Sequence, residues 1–234
     1  MNKTEDHALS RRGFLAAGAT GYVVGAAATD SVLGEETEKV RLRMGVNADP
    51  HLLGRRSPGN EANFLLFVEE MKRWKPDCAI DLGDFGCQVA EGVTTREMHD
   101  KQLEGLHHHV SVFRQVECPR YHVIGNHDVG WLKGGDEKIT AEDLIGKAHA
   151  GEDITKQEFL EATGTPHRYY SFEAGGVHVI VLDANNGPDE SSPGRGHDGV
   201  VGGYFIDAGQ KRWLKDNLAK HREKPKVVFC HEEL

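Results

Sequence analysis

Cysteine, positive charge and long apolar runs are all scarce in this 234-residue chain. The four cysteines, Cys78, Cys87, Cys118 and Cys230, include no Cys-x-x-Cys pair, so they read as buried thiols rather than a disulfide framework. Lysine and arginine number 28 against 37 acidic residues, a formal charge of −9. That sign excludes a nonspecific nucleic-acid binder and a protein held on anionic membranes. It leaves open a protein that acts on phosphates, provided bound cations dominate the local field. No apolar run reaches the roughly 18–20 residues of a spanning helix, so no stable membrane span is expected. Internal repeats are absent. With 38% hydrophobic and 28% charged residues, the composition is globular and the length suits one domain.

The N-terminus carries the first specific signal. Residues 10–15 read SRRGFL and run into AAGATGYVVGAAA. Paired arginines before a weakly hydrophobic, small-residue segment describe a twin-arginine export signal. Residues 1–34 are therefore expected to be a signal peptide and linker, with cleavage after Ala28, or alternatively near Gly34. The export machinery is the implied partner and the periplasm or exterior the implied location. Such a route suits a protein that folds, and takes up metal, before export.

Beyond the leader the hydrophobic period alternates between two and about 3.6. VRLRMGV, 40–46, is a strand, and 60–74 is a helix with Asn60 as its expected N-cap. CAIDL, 78–82, is a strand, and Thr94 with Glu97 forms a capping box that opens a helix to about 116. RYHVI, 120–124, is a third strand. Strand–helix–strand–helix–strand order predicts α/β class with parallel strands and helical crossovers. Residues 131–154 are a polar insertion. Thr155 with Glu158 opens a short helix to about 163, and 167–184 reads as two strands around Gly175-Gly176. A turn-rich loop, 185–203, precedes a third expected capping box, Asp207 with Gln210, and a helix through about 222. KVVFC, 226–230, is a last strand, ending at His231.

Four strands end in ligand-type residues: Asp49 with His51, Asp84, Asn126-His127-Asp128, and His231. Sites in α/β sheets form beyond the carboxyl ends of strands. Carboxylate, imidazole and amide oxygen together suit borderline divalent ions such as Mn, Fe, Zn or Co. Asp-x-His or Gly-Asp alone is a common turn; all four in order behind strands make a site.

Through Asp49-x-His51, Gly83-Asp84, Gly125-Asn126-His127-Asp128 and His231, the chain resembles the calcineurin-like metallophosphoesterases from about residue 41 to 231. The resemblance implies a four-layer α/β/β/α sandwich over 35–234, with a two-metal site at one edge. It implies that Asp49 and His51 hold one ion, that Asp84 bridges both, and that Asn126 and His231 hold the second. It implies hydrolysis of a phosphodiester, diphosphate or monoester by a metal-bridged hydroxide, with His127 as general acid and Asp128 orienting it. The strand pair within 167–184 and the Gln-x-x-Trp-Leu helix look most like the cyclic-nucleotide phosphodiesterase and nucleotide diphosphatase branch, so a small phosphate ester, nucleotides included, is the expected substrate. Cys87 stands where the purple acid phosphatase branch has a metal-binding tyrosine, which argues against that branch.

The chain departs from the family in one respect. No Gly-His-x-His follows His231, so the C-terminal part of the domain is expected to be missing and metal binding to be weak. The alternative is a non-catalytic or single-metal binding protein of the same fold. His107-His108-His109 reads as a solvated helix face, because neighbours on a helix point about 100° apart. His122 and His178 read as satisfied strand residues, and Trp74 and Trp213 as core. Arg195 and His197 read as a solvated loop tip.

Overall fold

The computed structural model describes residues 23–28, 41–52, 59–85, 92–129, 138, 155–185 and 206–232. Among these, seven strands and four helices form a mixed α/β fold. The strands are β1 (Val23–Ala28), β2 (Arg41–Asn47), β3 (Cys78–Asp81), β4 (Arg120–His122), β5 (Tyr170–Ala174), β6 (Val177–Val181) and β7 (Lys226–Phe229). The helices are α1 (Asn60–Trp74), α2 (Thr95–Phe113), α3 (Lys156–Thr163) and α4 (Ala208–Lys220). One sheet has the order β1-β2-β3-β4 and the other β5-β6-β7.

The expected parallel pairing is present. β2 pairs with β3 through Met44↔Cys78 to Asn47↔Asp81, and β3 with β4 through Ala79↔Arg120 to Asp81↔His122. Asn47, Asp81 and His122 therefore lie side by side at one edge, and the three following loops leave the sheet together. In the second sheet β6 pairs with β7 in parallel, with Val181 opposite Phe229, so His231 leaves from the corresponding strand end. β1 is an addition: the segment read as part of the leader lies antiparallel on β2, from Val23↔Val46 to Ala28↔Arg41.

Alternation explains the core. Leu42, Met44, Cys78, Ile80 and Val123 of the first sheet share one buried cluster with Tyr170, Val177, Val179 and Val181 of the second. Tyr170 also ties the sheets by polar bonds, since its hydroxyl donates to the His122 carbonyl at 2.9 Å and accepts from the His122 N–H at 3.1 Å. On the first sheet's other face, Phe64, Phe67, Val68 and Met71 of α1, at helical spacing, pack with Ala79 and with Val112 and Phe113 of α2. Gly45 permits this approach, because a Cβ there would lie 2.1 Å from Met71 Sδ. None of the described helices is long and apolar enough to cross a membrane.

Several local expectations shift. Gly59, not Asn60, is the N-cap of α1, with no side-chain cap bond, and Asn60 is buried inside the helix. The Thr94–Glu97 and Thr155–Glu158 capping boxes are both present. Asp207 does cap α4 by accepting from the Gln210 N–H, but Gln210 turns away to pair with both backbone groups of Asp183 at 2.8 Å. α2 ends at Phe113 rather than near 116. His109 is core rather than solvated face: it is buried and stacks on Phe64 at 4.6 Å. Trp213 is half-buried and packs on Tyr169, while Trp74 packs against the α1–α2 cluster. Cys78 is buried, Cys118 and Cys230 are half-buried, and all three are free thiols. Cys87, Arg195 and His197 lie outside the described residues.

Candidate metal centre

The loops that follow β2, β3 and β4 continue the sheet's pairing past the strands. Asp49 N–H donates to the Gly83 carbonyl at 3.0 Å, His51 N–H to Asp84 at 2.9 Å and Leu52 N–H to Phe85 at 3.1 Å. Three residues of these loops adopt left-handed backbone. Asp49 (φ 53), His51 (φ 40) and Asp84 (φ 60) are three of the four non-glycine residues with positive φ among the described residues. Such conformations concentrate at functional sites held by their surroundings.

Their side chains converge. Ligand atoms of Asp49, His51 and Asp84 lie within 4.8 Å of one another. His51 Nε2 is 3.5 Å from Asp84 Oδ2 and 3.9 Å from Asp49 Oδ1. On the other side of Asp84, His231 Nε2 is 3.4 Å from Oδ1 and 3.0 Å from the Asn126 side-chain amide. Asp84, Asn126 and His231 thus come from three different strand ends. His127 stands at the rim: its backbone N–H donates to Asp84 Oδ1 at 2.8 Å, its Nε2 is 3.9 Å from Asp84 Oδ2, and its ring meets that of His51 edge-on at 5.1 Å. All the ligand-type residues picked out at the strand ends gather in this one place.

Asp128 is buried beneath them. Its carboxylate accepts the N–H groups of Asp84 (2.9 Å), Phe85 (2.9 Å) and Gly125 (2.7 Å), which clamps the loop after β3 to the turn after β4. Gly83 and Gly125 let those backbones touch: a Cβ on Gly125 would sit 2.3 Å from both Asp84 N and Asp84 Oδ1.

The inward atom of the Asn126 amide lies 3.2–3.3 Å from the Asp84 oxygens, 2.9 Å from Glu232 Oε1 and 3.0 Å from His231 Nε2, and with its nitrogen inward the amide donates to all of them. His231 tests whether the residues fit cations. Its Nδ1–H donates to the Leu82 carbonyl at 2.8 Å, which leaves the Nε2 lone pair aimed into the cluster, the arrangement of a metal-ligating histidine. Burial opposes charge on His231, yet the adjoining Asp84 carboxylate outweighs it and pushes the imidazole up to about 10. Reciprocally, Asp84 is held below the usual carboxylate range by His231 and His127 despite burial. The pocket attracts positive charge, whether proton or metal ion.

A second trio, Glu173, His178 and His221, also brings ligand atoms within 4.8 Å. Its chemistry is different. The two imidazoles stack at 3.8 Å and 10°, so their in-plane lone pairs run parallel rather than converge, and the Lys224 ammonium already stands 3.0 Å from Glu173. His178 is satisfied, as expected, by Glu173 at 2.8 Å and Asn217 at 2.6 Å.

Among solved structures, a dimetal phosphatase from Danio rerio superposes with a TM-score of 0.53 at 16% identity, covering 80% of this chain and 68% of that one. The two share a fold. No family model matches the sequence, and no curated protein matches it either.

Sequence reading missed the polar layer under the site. Asp81 Oδ1 accepts from Gly83 N–H at 2.9 Å, Oδ2 accepts from Asn47 Nδ2 at 2.6 Å, and His109 Nε2 faces Oδ2 at 3.4 Å. The available signal was polar residues in the last positions of β2 and β3. Burial pushes Asp81 up to about 7, against the Gly83 and Asn47 donors. Burial also holds His109 well below its ordinary range, so it supplies no compensating charge. Since the folded pKa of Asp81 exceeds its ordinary 3.8, its contribution to stability is complete below that value and is lost as pH rises through about 7. Between about pH 4 and 7 the urea midpoint of the metal-free protein should therefore fall relative to that of Asp81→Asn, and above that range the difference should level off. Parallel pH profiles for the two proteins would contradict this assignment.

Proposed function

We propose that this chain is an exported, divalent-cation-dependent phosphoester hydrolase with a four-layer α/β/β/α arrangement. The observation that carries the reading is the convergence of Asp49, His51 and Asp84, whose ligand atoms lie within 4.8 Å of one another, with His231 Nε2 3.4 Å from the other Asp84 oxygen. Asp49 and His51 would hold one cation, Asn126 and His231 a second, and Asp84 would be shared, its two oxygens facing His51 and His231 respectively. Bound divalent ions of the Mn, Fe, Zn or Co type supply Lewis acidity, acidifying water and offsetting charge on phosphoryl oxygens.

The chain's own residues supply position and protons. His127 is tethered through its backbone to Asp84 and sits at the solvent-facing rim, where a leaving group would depart. Burial draws its pKa below the ordinary range, while Asp84 pulls it back up. As general acid it gives its proton to the ester oxygen as the P–O bond breaks, and Asp128 is assigned the orienting role. Nucleotide-type diesters or diphosphates are the proposed substrates, ahead of simple monoesters.

His127→Ala tests the reading. It should keep its metal content and lose about 10²–10⁴-fold in turnover on alkyl phosphates, with a much smaller loss on p-nitrophenyl esters, whose leaving group needs no proton. Undiminished turnover on an alkyl phosphate would remove His127 from the mechanism.

A further inference from the structure

The peptide unit that leads into the turn carrying Asn126 and His127 is held from both sides. Its N–H, that of Gly125, donates to Asp128 Oδ2 at 2.7 Å. Its carbonyl, that of Ile124, accepts from Asn185 Nδ2 at 2.7 Å. A backbone carbonyl only accepts, so the nitrogen end of the Asn185 amide has to face it. Asn185 lies 61 residues further along the chain, beyond the end of β6, and no step of the proposed hydrolysis uses it.

Asn185 is itself fixed by a buried ionic network. Its N–H donates to Asp183 Oδ1 at 3.0 Å, and its carbonyl accepts from Lys156 Nζ at 2.6 Å. The same ammonium stands 2.6 Å from Asp183 Oδ2, and the Arg168 guanidinium 3.0 Å from that oxygen. Asp183 is fully buried, and both its backbone groups pair with Gln210. Buried polar networks whose members are paired rigidify the groups they include. The second sheet thus reaches across to steady a turn of the first. That turn sets His127, through its N–H bond to Asp84 Oδ1 at 2.8 Å.

Resting on the general-acid reading of His127, we propose that Asn185 is a positioning residue for that side chain. By fixing the plane of the Ile124–Gly125 peptide, it sets where the imidazole stands beside Asp84.

The test compares full-length wild type, Asn185→Asp, Asn185→Ala and Asn217→Asp. Asn185→Asp loses the donor at constant volume, and Asn185→Ala loses it without adding charge. Asn217→Asp is the control, because that amide donates to Ser171 Oγ at 2.9 Å and meets His178 at the start of β6, away from the turn. Amide hydrogen exchange of the metal-free proteins is the first readout. In both Asn185 variants the Gly125 and His127 amides should exchange about tenfold or more faster than in the control, with Val179 and Ile180 of β6 unchanged. In the metal-loaded proteins kcat on alkyl phosphates should fall about 10–10²-fold, with a smaller loss on p-nitrophenyl esters and with KM and metal content unchanged. Exchange at Gly125 and His127 equal to that of the control overturns the assignment. So does faster exchange that extends to Val179 and Ile180, or an equal loss on both ester classes, since either is what a merely structural role gives. Selectively faster exchange at the turn, beside a wild type that hydrolyses neither ester, overturns the hydrolase reading and leaves Asn185 as the support of the turn.

Discussion

Asp84→Asn should abolish most phosphoester hydrolysis, by at least about 10²–10³-fold, and should sharply reduce Mn²⁺ uptake while leaving the fold intact. Asp84 is 2% exposed, and the imidazoles of His51, His127 and His231 all stand within 3.4–3.9 Å of its oxygens. One negative charge therefore sits between both proposed cation positions, and Asn removes it at nearly constant volume. The left-handed backbone at φ 60 is one that Asn tolerates better than most residues, so loss of function is not confounded by strain. Turnover with p-nitrophenyl phosphate, its bis-ester and cyclic AMP, measured beside thermal melting, checks both halves. Wild-type turnover in a chain carrying Asn at this position would sink the proposed mechanism.

Gly125→Ala should destroy the centre by geometry alone. The added methyl would lie 2.3 Å from Asp84 N and Oδ1 and 3.0 Å from Asp128 Oδ2, and two of these three atoms belong to backbone or to a buried carboxylate clamp. Overpacking of this kind costs about 1–3 kcal/mol, which for a chain of this size lowers the melting temperature by roughly 3–10 °C. Relieving the clash moves the turn that carries Asn126 and His127 away from Asp84, so metal uptake and turnover should fall together. Gly59→Ala is the control: a Cβ there meets nothing within 4 Å, and its melting temperature should stay near wild type. Unchanged metal binding in Gly125→Ala would show that the two turns need not touch.

These two residues also mark how far the sequence could be read. Asp84 was legible because a carboxylate directly behind a short apolar strand has no packing role. Gly125 was legible as part of Gly-Asn-His-Asp, but its reason, backbone pressed against Asp84, was not. His109 shows the limit from the other side. A run of three histidines on a helix suggests solvent, yet its third member turns onto Phe64 and the buried Asp81. Which side of a helix meets the core depends on where α1 and the sheet stand. Gln210 fails as a capping-box partner for the same kind of reason, because the nearby end of β6 offers both backbone groups of Asp183.

From the chain alone came the order of strands and helices, the class of fold and the ligand-type residues at the strand ends, since hydrophobic period and turn chemistry are local properties. Register, the convergence of Asp49, His51 and Asp84, and the polar layer of Asn47, Asp81 and His109 belong to the tertiary structure. Each depends on contacts between segments tens of residues apart, and no local pattern records how far one strand slides along another.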